Sequence, residues 1–299
     1  MKWKKILVAL LIITILIGYV LVCLRYRKEN SITISHRLEW WLDDINWDKG
    51  RSKWTGNGVT VAIIDSGVDA SHPDLENTSI QEYRVSSLEN SEEGPLSHGT
   101  EVAGVIAAYP KTDEGVLGVA PGVSILSVDV TDSEIIGDDE LIEGIKYATE
   151  QGVDVINISI GTPTDSEELH DAVKKAYQAG IVIVAAAGNY MRDDVLYPAK
   201  YDEVIAVGSR GKKGEIISPS SVKNKNVCYL PGENIVTTYS GDKDRMYAGG
   251  EGTSFSTPIL SGIICLYLQK HPEADVKEIY DLFSEMPTGK IDVKAILKS

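Results

Sequence analysis

The sequence predicts a three-layer α/β domain whose sheet is mostly parallel and doubly wound. Two observations indicate this architecture. Strand-like and helix-like segments alternate along the chain, which is the order that builds parallel strands joined by crossover helices. The predicted strands are nearly continuous apolar runs, such as residues 59–64 (VTVAII), and such runs are typical of parallel strands that helices cover on both faces. A chain of 299 residues with 43% hydrophobic content can bury one core of this kind.

The individual elements follow from hydrophobic periodicity and from turn residues. Helix-spaced apolar positions predict a short helix over residues 38–45, and the turn Gly56-Asn57-Gly58 leads into the first strand at 59–64. The same signals predict further strands at residues 124–130, 153–159, 181–187, 204–207 and 227–230, and helices at 98–109, 138–151, 166–179 and 274–284, with another beginning near Ser254. In such a sheet, ligands bind beyond the carboxyl ends of the strands.

The N-terminal region is predicted to be a membrane anchor or an uncleaved signal over residues 1–30. Residues 6–24 are nineteen positions without charge, which is long enough to cross a bilayer, and no small-residue cleavage site closes the run. Three basic residues flank each side, so charge does not decide the orientation. Cys23 is an alternative lipid-attachment site, although the bulky Val22 before it argues against that. Residues 31–37 are predicted to be a linker and residues 38–299 a single catalytic domain.

The charge of the chain is strongly acidic. The net charge is −15, and without residues 1–30 there remain 23 basic and 43 acidic residues, a net charge of −20. Such a domain repels nucleic acid and favours neutral or cationic partners, although solubility alone explains acidity equally well. The three cysteines, Cys23, Cys228 and Cys265, predict no disulfide framework.

Four polar residues fall at the element ends where chemistry is expected. Asp65 ends the first strand, His98 opens a helix, Asn189 closes a strand and Ser254 stands at the start of a helix. Each alone has an ordinary structural explanation, as a cap, a turn residue or a buried hydrogen-bonding group. Together they supply what serine attack on a carbonyl requires: a nucleophile, a base, a carboxylate that orients the base, and a donor for the oxyanion.

Three sequence blocks resemble the signatures of the subtilisin-like serine proteases. They are residues 61–69 (VAIIDSGVD) with 71–75 (SHPDL), residues 97–104 (SHGTEVAG) and residues 252–258 (GTSFSTP). The order Asp65, His98, Ser254 is also the order of that family. Residues 115–121, 157–161, 186–189 and 197–199 resemble further stretches of it, so the resemblance runs from about residue 38 almost to the C-terminus. It implies a subtilisin-like fold and a serine endopeptidase, with the peptidases that remove leader peptides from lantibiotics as one similar type.

The resemblance implies a role for each candidate residue. Ser254 is expected to be the nucleophile, His98 the general base and then acid, and Asp65 the residue that orients His98. Asn189 is expected to donate its side-chain amide to the oxyanion beside the backbone N–H of Ser254. Substrate contacts are expected from a strand-pairing segment, in which Gly161 leaves room for the peptide, and from the cleft behind Asn189: Ser159, Ile160, Gly161, Ala187 and Gly188.

Acidic residues near the expected cleft suggest a substrate preference. Asp139, Asp193 and Asp194 are placed by the resemblance around the pocket and along the second edge of the cleft, where carboxylates favour arginine or lysine. The alternative is a solvated acidic face, which the composition alone predicts.

Metal and cofactor requirements are expected to be small. The chemistry needs no cofactor. The resemblance implies a structural calcium site with Asp74 and Asp113 as oxygen donors, but residues 110–114 depart from the usual loop of the family, and calcium needs about six oxygens.

The function expected from these features is a membrane-anchored processing protease. It is expected to be a monomer with an extracytoplasmic catalytic domain, to act on peptide or protein substrates, with cationic leader peptides as one class, and to bind no nucleic acid. No segment long enough for the family's folding pro-domain separates residues 6–24 from the catalytic region. General extracytoplasmic protein turnover is one alternative. A non-catalytic, membrane-tethered binding protein is another, but it has no need to retain Asp65, His98, Asn189 and Ser254 together.

Overall fold

The computed structural model describes residues 39–47, 53–88, 97–111, 115–131, 137–189, 195–218, 226–242, 245–284 and 291–298. The predicted anchor (1–30) and linker (31–37) lie outside this set, as do Asp113, Asp193 and Asp194. Among the described residues, the longest apolar helix falls short of what a bilayer crossing requires.

A mostly parallel sheet forms the centre of the domain. Its strands are β1 (Thr60–Asp65), β2 (Ser79–Arg84), β3 (Ser124–Asp129), β4 (Val155–Ile158), β5 (Val182–Ala186), β6 (Val204–Arg210), β7 (Ile216–Ser218) and β8 (Val227–Pro231). They are ordered β2-β3-β1-β4-β5-β6-β7, and β8 also pairs with β6. Every pairing is parallel except that of β6 with β7. In register, Ile64 of β1 lies opposite Val128 of β3 and Ile158 of β4.

Helices cover both faces of this sheet. They are α1 (Trp40–Asp44), α2 (Ser97–Ala107), α3 (Asp138–Glu150), α4 (Glu167–Gln178), α5 (Thr253–Lys270), α6 (Val276–Ser284) and α7 (Val293–Ile296). Successive side chains of a strand point to opposite faces. Ala62 and Ile64 of β1 accordingly belong to a core shared with Leu141 of α3 and Leu169 of α4. The intervening side chains of β1 are equally buried on the other face, where α5 packs. The three-layer, doubly wound α/β prediction is therefore confirmed.

Helix α5 is the central helix of its layer. It is buried almost all round from Phe255 to Tyr267, as expected for a helix without a polar face. Because it contacts β4, β5, β6 and β8, its first turn is fixed against the carboxyl ends of several strands at once.

A β-hairpin made of β9 (Ile235–Asp242) and β10 (Arg245–Gly250) supports α2. The hydroxyl of Thr237 donates to the carbonyl of Glu101 at 2.8 Å, and that of Thr238 donates to the carbonyl of Thr100 at 2.6 Å. Both carbonyls belong to the first turns of α2, so the hairpin holds the end of the helix that carries His98.

The sequence prediction missed several elements. β2 reads Ser-Ile-Gln-Glu-Tyr-Arg and is largely exposed or half-buried, because it is an edge strand with a neighbour on one side only. β7, the β9–β10 hairpin and α7 were likewise not predicted, since short or polar segments carry little periodicity. β6 extends three residues beyond its predicted end, to Arg210. The guanidinium of Arg210 stays buried in this strand because it pairs with the carboxylate of Asp44, which is itself only 7% exposed.

The two cysteines in the described part of the chain are both free and buried. Cys228 lies in β8 and Cys265 in α5. Burial raises the pKa of the Cys228 thiol to about 12, so it is protonated and unreactive near neutral pH.

Candidate active site

The candidate catalytic residues meet at the carboxyl edge of the sheet. Asp65 is the last residue of β1, and Asn189 follows β5 after a two-residue turn. His98 and Ser254 are the second residues of α2 and α5, respectively. The parallel order of the sheet therefore brings together four residues that are far apart in sequence.

Asp65 and His98 form a short hydrogen-bonded pair. His98 Nδ1 lies 2.8 Å from Asp65 Oδ1 and 3.0 Å from Oδ2, so the ring donates its Nδ1 hydrogen to the carboxylate. Asp65 is 1% exposed and also accepts the backbone N–H of Ser66 at 2.8 Å. In the neutral imidazole, a hydrogen on Nδ1 leaves the lone pair of Nε2 available as a base.

The charge of Asp65 dominates the electrostatics of His98. It raises the pKa of His98 from its usual 6.5 to about 9, against an opposing effect of burial, and the hydrogen bond to Asp65 and the charge of Glu101 act in the same direction as the Asp65 charge. The imidazolium form is therefore stabilised in the folded protein.

Ser254 lies beside this pair but is not hydrogen-bonded to it. Its hydroxyl donates to the backbone carbonyl of Ser159 at 2.9 Å. A hydrogen-bonded line from Asp65 through His98 to Ser254 is therefore present only between the first two residues. A serine hydroxyl chooses among three staggered rotamers, and in this state the carbonyl is its acceptor. The imidazole is nevertheless next to the start of α5, since its ring lies edge-on to that of Phe255 with centroids 5.9 Å apart.

Asn189 is held in one amide orientation. Its Oδ1 accepts the backbone N–H of Thr253 at 2.8 Å and the hydroxyl of Thr253 at 3.0 Å. Because this atom accepts two hydrogen bonds, it is the oxygen of the amide and not the nitrogen. Nδ2 is therefore the atom that remains to donate a hydrogen bond elsewhere. Gly252 makes this approach feasible: it has φ +118°, and a Cβ there would lie 2.8 Å from Asn189 Oδ1. Thr253 is a functional residue that the sequence analysis did not single out, although it stands inside the quoted block 252–258.

The expected substrate-pairing segment follows β4 directly. Ser159 is buried, whereas Ile160 and Gly161 are half-buried. The next residue, Thr162, exchanges two backbone hydrogen bonds of 2.9 Å with Tyr197, which joins this segment to the stretch 197–199 that also resembles the family. The structure gives a further reason for glycine at 161, while its room for a peptide stays a prediction. A Cβ there would lie 2.9 Å from the carbonyl oxygen of Tyr197, so the glycine allows the backbone at residue 161 to come close to the backbone at residue 197.

Ala187 and Gly188, which are predicted to contact substrate, are both buried. Ala187 is 0% exposed, and its N–H and carbonyl bond to Val207 and Leu196. Gly188 is also buried, and its N–H donates to the hydroxyl of Thr253 at 3.3 Å. Contact of these two residues with substrate stays a prediction.

Of the three acidic residues predicted to set specificity, the structure describes one. Asp139 is exposed in the first turn of α3. Its part in substrate preference stays a prediction.

Asp74 does not form a described metal site. It is 4% exposed, and its Oδ2 accepts the backbone N–H of Val116 at 2.8 Å and the hydroxyl of Tyr247 at 3.0 Å. Within the described ranges, no three His, Cys, Asp or Glu side chains gather as metal ligands would. Since one of its oxygens already accepts two protein donors, Asp74 fits a calcium site poorly, and calcium stays a prediction that depends on Asp113.

His72, within the first sequence block, has a framework role. Its Nε2 donates to the carbonyl of Met246 at 2.8 Å, and its Nδ1 accepts the N–H of Asp74 at 3.1 Å. Both ring nitrogens are thereby used in holding the loop after β1 against β10.

Known proteins match this chain over the described domain. The sequence profile of the subtilase family matches residues 56–296. Subtilisin DY of Bacillus licheniformis is 40% identical over 241 residues, which cover 79% of this chain and 86% of that protein. Subtilisin NAT of Bacillus subtilis subsp. natto is 41% identical over 240 residues, 79% of this chain and 62% of that protein.

A solved structure agrees in fold. Fervidolysin from Fervidobacterium pennivorans, described as a keratinolytic enzyme related to subtilisin, superposes with a TM-score of 0.75 at 30% identity, over 87% of this chain and 45% of that one. With a family profile that spans most of the chain, relatives at about 40% identity and a shared fold, the chain belongs to the subtilase family of serine endopeptidases.

Proposed function

We propose that this subtilase cleaves peptide bonds with Ser254 as nucleophile, His98 as general base and acid, and Asp65 as the residue that orients and charges His98. The observation that carries this assignment is the 2.8 Å bond between His98 Nδ1 and Asp65, beside the helix start that bears Ser254. This bond fixes the imidazole tautomer that a base at Nε2 requires.

The reaction begins with a rotation of Ser254. Its hydroxyl leaves the Ser159 carbonyl and turns to His98 Nε2, which takes the proton as the oxygen attacks the substrate carbonyl. The imidazolium that forms is stabilised by Asp65 and then protonates the leaving amine. Water repeats the sequence to hydrolyse the acyl-enzyme.

The oxyanion is stabilised by donors that are already in place. Asn189 Nδ2 and the backbone N–H of Ser254 are proposed to donate to it, and the positive end of α5 adds to their effect. Because Thr253 holds the oxygen of Asn189, the amide needs no reorganisation when the charge develops.

Labelling tests the nucleophile. We expect a serine-directed fluorophosphonate to label the full-length protein at one site, and Ser254→Ala to abolish the labelling together with peptide hydrolysis. Mass spectrometry of the labelled peptide identifies the site. Ser256→Ala is the matched control: it removes a buried hydroxyl two residues away, in the same helix, that donates to the carbonyl of Pro231 at 2.9 Å. Labelling that persists in Ser254→Ala would contradict the assignment.

The pH dependence tests the base. His98 is active when neutral, so with a pKa near 9 we expect kcat/KM to rise about tenfold per pH unit on the acid side and to level off near pH 9. Asp65→Asn removes the largest cause of the raised pKa, so the midpoint should move to lower pH while kcat falls by about 10⁴-fold. An unchanged midpoint in Asp65→Asn would contradict this account.

The same pKa shift affects stability with a defined sign. Because the folded-state pKa lies above 6.5, the protonated imidazole stabilises the fold fully below about pH 6.5, and this contribution disappears as the pH rises toward 9.

The proposed substrates are proteins or peptides with basic residues near the cleavage site, with leader-peptide maturation as the physiological role. The net charge of −15 supports attraction of cationic chains, and Asp139 offers an exposed carboxylate at the start of α3. Asp193 and Asp194 are proposed to supply two further carboxylates for the recognition of basic residues.

Cleavage of a peptide library tests this preference. We expect Asp139→Asn to reduce kcat/KM for peptides with arginine or lysine on that side of the cleft by a few-fold, and to leave neutral peptides unchanged, since an exposed pair contributes at most about 1 kcal/mol. The control is Glu150→Gln at the far end of the same helix, about 16 Å away along its axis. Equal effects on basic and neutral peptides would contradict a role in charge recognition. A wild-type profile without any basic preference would favour general protein turnover.

The proposed location is the cell membrane, with residues 6–24 as a single span and the catalytic domain outside the cytoplasm. We expect the full-length protein to resist extraction of membranes with alkaline carbonate. Ile13→Arg with Ile17→Arg should release it, because each arginine costs about 2.5–3.5 kcal/mol at the centre of a span. Cys23→Ser should stay bound; its release would indicate a lipid anchor instead.

A C-terminal epitope tag should be accessible to antibody on intact cells, and access only after permeabilisation would contradict the orientation.

A further inference from the structure

Ser159 and Ser254 hold each other through two reciprocal hydrogen bonds, which we call the serine clasp. The hydroxyl of Ser254 donates to the carbonyl of Ser159 at 2.9 Å, and the hydroxyl of Ser159 donates to the carbonyl of Ser254 at 3.0 Å. The clasp therefore ties the first turn of α5 to the end of β4 at the position of the proposed nucleophile.

The sequence of α5 explains why the carbonyl of Ser254 needs an outside donor. In an α-helix this carbonyl accepts the N–H of the residue four positions later, which is Pro258. Proline has no N–H, so the carbonyl has no partner within the helix. The hydroxyl of Ser159 takes the place of the missing donor, and an unpaired carbonyl in this half-buried turn is avoided.

Two buried residues hold the hydroxyl of Ser159 in turn. Asn157 Nδ2 donates to Ser159 Oγ at 3.0 Å, and Ser261 Oγ donates to Asn157 Oδ1 at 2.9 Å. Asn157 and Ser261 are both 0% exposed. Ser261 lies seven residues after Ser254, about two turns along the same face of α5. The series of hydrogen bonds therefore starts and ends on one helix.

The partners of these side chains favour one direction for each hydrogen bond. Ser159 Oγ accepts one hydrogen and donates its own, and Asn157 uses its amide hydrogen toward Ser159 and its oxygen toward Ser261. Ser261 Oγ also lies 3.2 Å from the carbonyl of Thr257, a longer contact than the one to Asn157. Reversal of the Asn157 amide would place its oxygen against Ser159 Oγ, whose own hydrogen is used toward the carbonyl of Ser254.

We propose that Ser261 and Asn157 are positioning residues for the nucleophile and act through the bond from the Ser159 hydroxyl to the carbonyl of Ser254, the half of the serine clasp that remains when the Ser254 hydroxyl rotates. They fix the rotamer of the Ser159 hydroxyl, and this hydroxyl fixes the carbonyl, and thereby the backbone, of Ser254. This inference rests on the proposed role of Ser254 as nucleophile.

The rate of fluorophosphonate labelling tests the proposal, because this small probe needs no peptide bound along residues 159–161. We expect Ser261→Ala to lower the second-order labelling rate and kcat about tenfold, equivalent to about 1.4 kcal/mol in the barrier, with KM little changed. Ser159→Ala should lower the labelling rate at least as much. Because Ser261 acts through Ser159, the double variant should be no slower than Ser159→Ala alone.

Ser256→Ala is the matched control, since Ser256 is also 0% exposed in α5 but donates away from the clasp, to the carbonyl of Pro231. Its thermal stability should fall about as much as that of Ser261→Ala, while its labelling rate stays at the wild-type value. Rates are compared per folded molecule. If Ser261→Ala does not fold, Ser261→Cys keeps the side-chain volume with a weaker donor and should slow labelling in the same way.

Three outcomes would overturn the proposal: a labelling rate of Ser261→Ala equal to that of Ser256→Ala, a loss expressed in KM alone, or effects of Ser261→Ala and Ser159→Ala that simply multiply. A wild-type protein that is not labelled at Ser254 would instead refute the proposed function, so the two failures are distinct.

Discussion

The start of α5 must satisfy its backbone groups where a helix cannot do so alone. The first N–H groups of any helix lack partners within it, and Pro258 removes the partner of one further carbonyl. The strand ends supply what is missing: Asn189 Oδ1 accepts the N–H of Thr253, and the hydroxyl of Ser159 donates to the carbonyl of Ser254. The hydrogen bonds that hold the start of α5 on the sheet therefore also set the positions of the residues in the site.

Electrostatics adds a second constraint on the same edge. Asp65 is almost fully buried, and the imidazole of His98 and the N–H of Ser66 are its hydrogen-bond donors. A buried carboxylate of this kind is stabilised most when the ring beside it is cationic. The pair therefore favours the charged form of His98 that the proposed reaction creates when Ser254 loses its proton.

The resting rotamer of Ser254 connects these two constraints. Its hydroxyl donates to the carbonyl of Ser159, which belongs to the segment proposed to pair with substrate. A peptide N–H that binds this carbonyl competes with the serine hydroxyl for the same acceptor. In the proposed mechanism, substrate binding at this carbonyl therefore favours the rotamer of Ser254 that faces His98.

Much of the fold followed from the sequence because its signals are local. A continuous apolar run such as residues 59–64 is what a strand covered on both faces requires. The helix-spaced apolar residues within 138–151 are what a helix packed by one face on the sheet requires. The observed β1 and α3 agree with these predictions to within about one residue. β2 and the β9–β10 hairpin were missed because a half-exposed strand can be polar, and only its neighbours make it a strand.

The sequence by itself determined the chemistry that is available: an aspartate, a histidine, an asparagine and a serine at element ends, in an order that resembles one family. The tertiary structure alone decided which atoms meet. It showed that His98 contacts Asp65 while Ser254 bonds to Ser159, that Ala187 is fully buried, and that Gly161 lets the carbonyl of Tyr197 come close. The physical reason is that a hydrogen bond depends on distances of a few tenths of an ångström between residues far apart in sequence, and only the packing of helices on the sheet sets those distances.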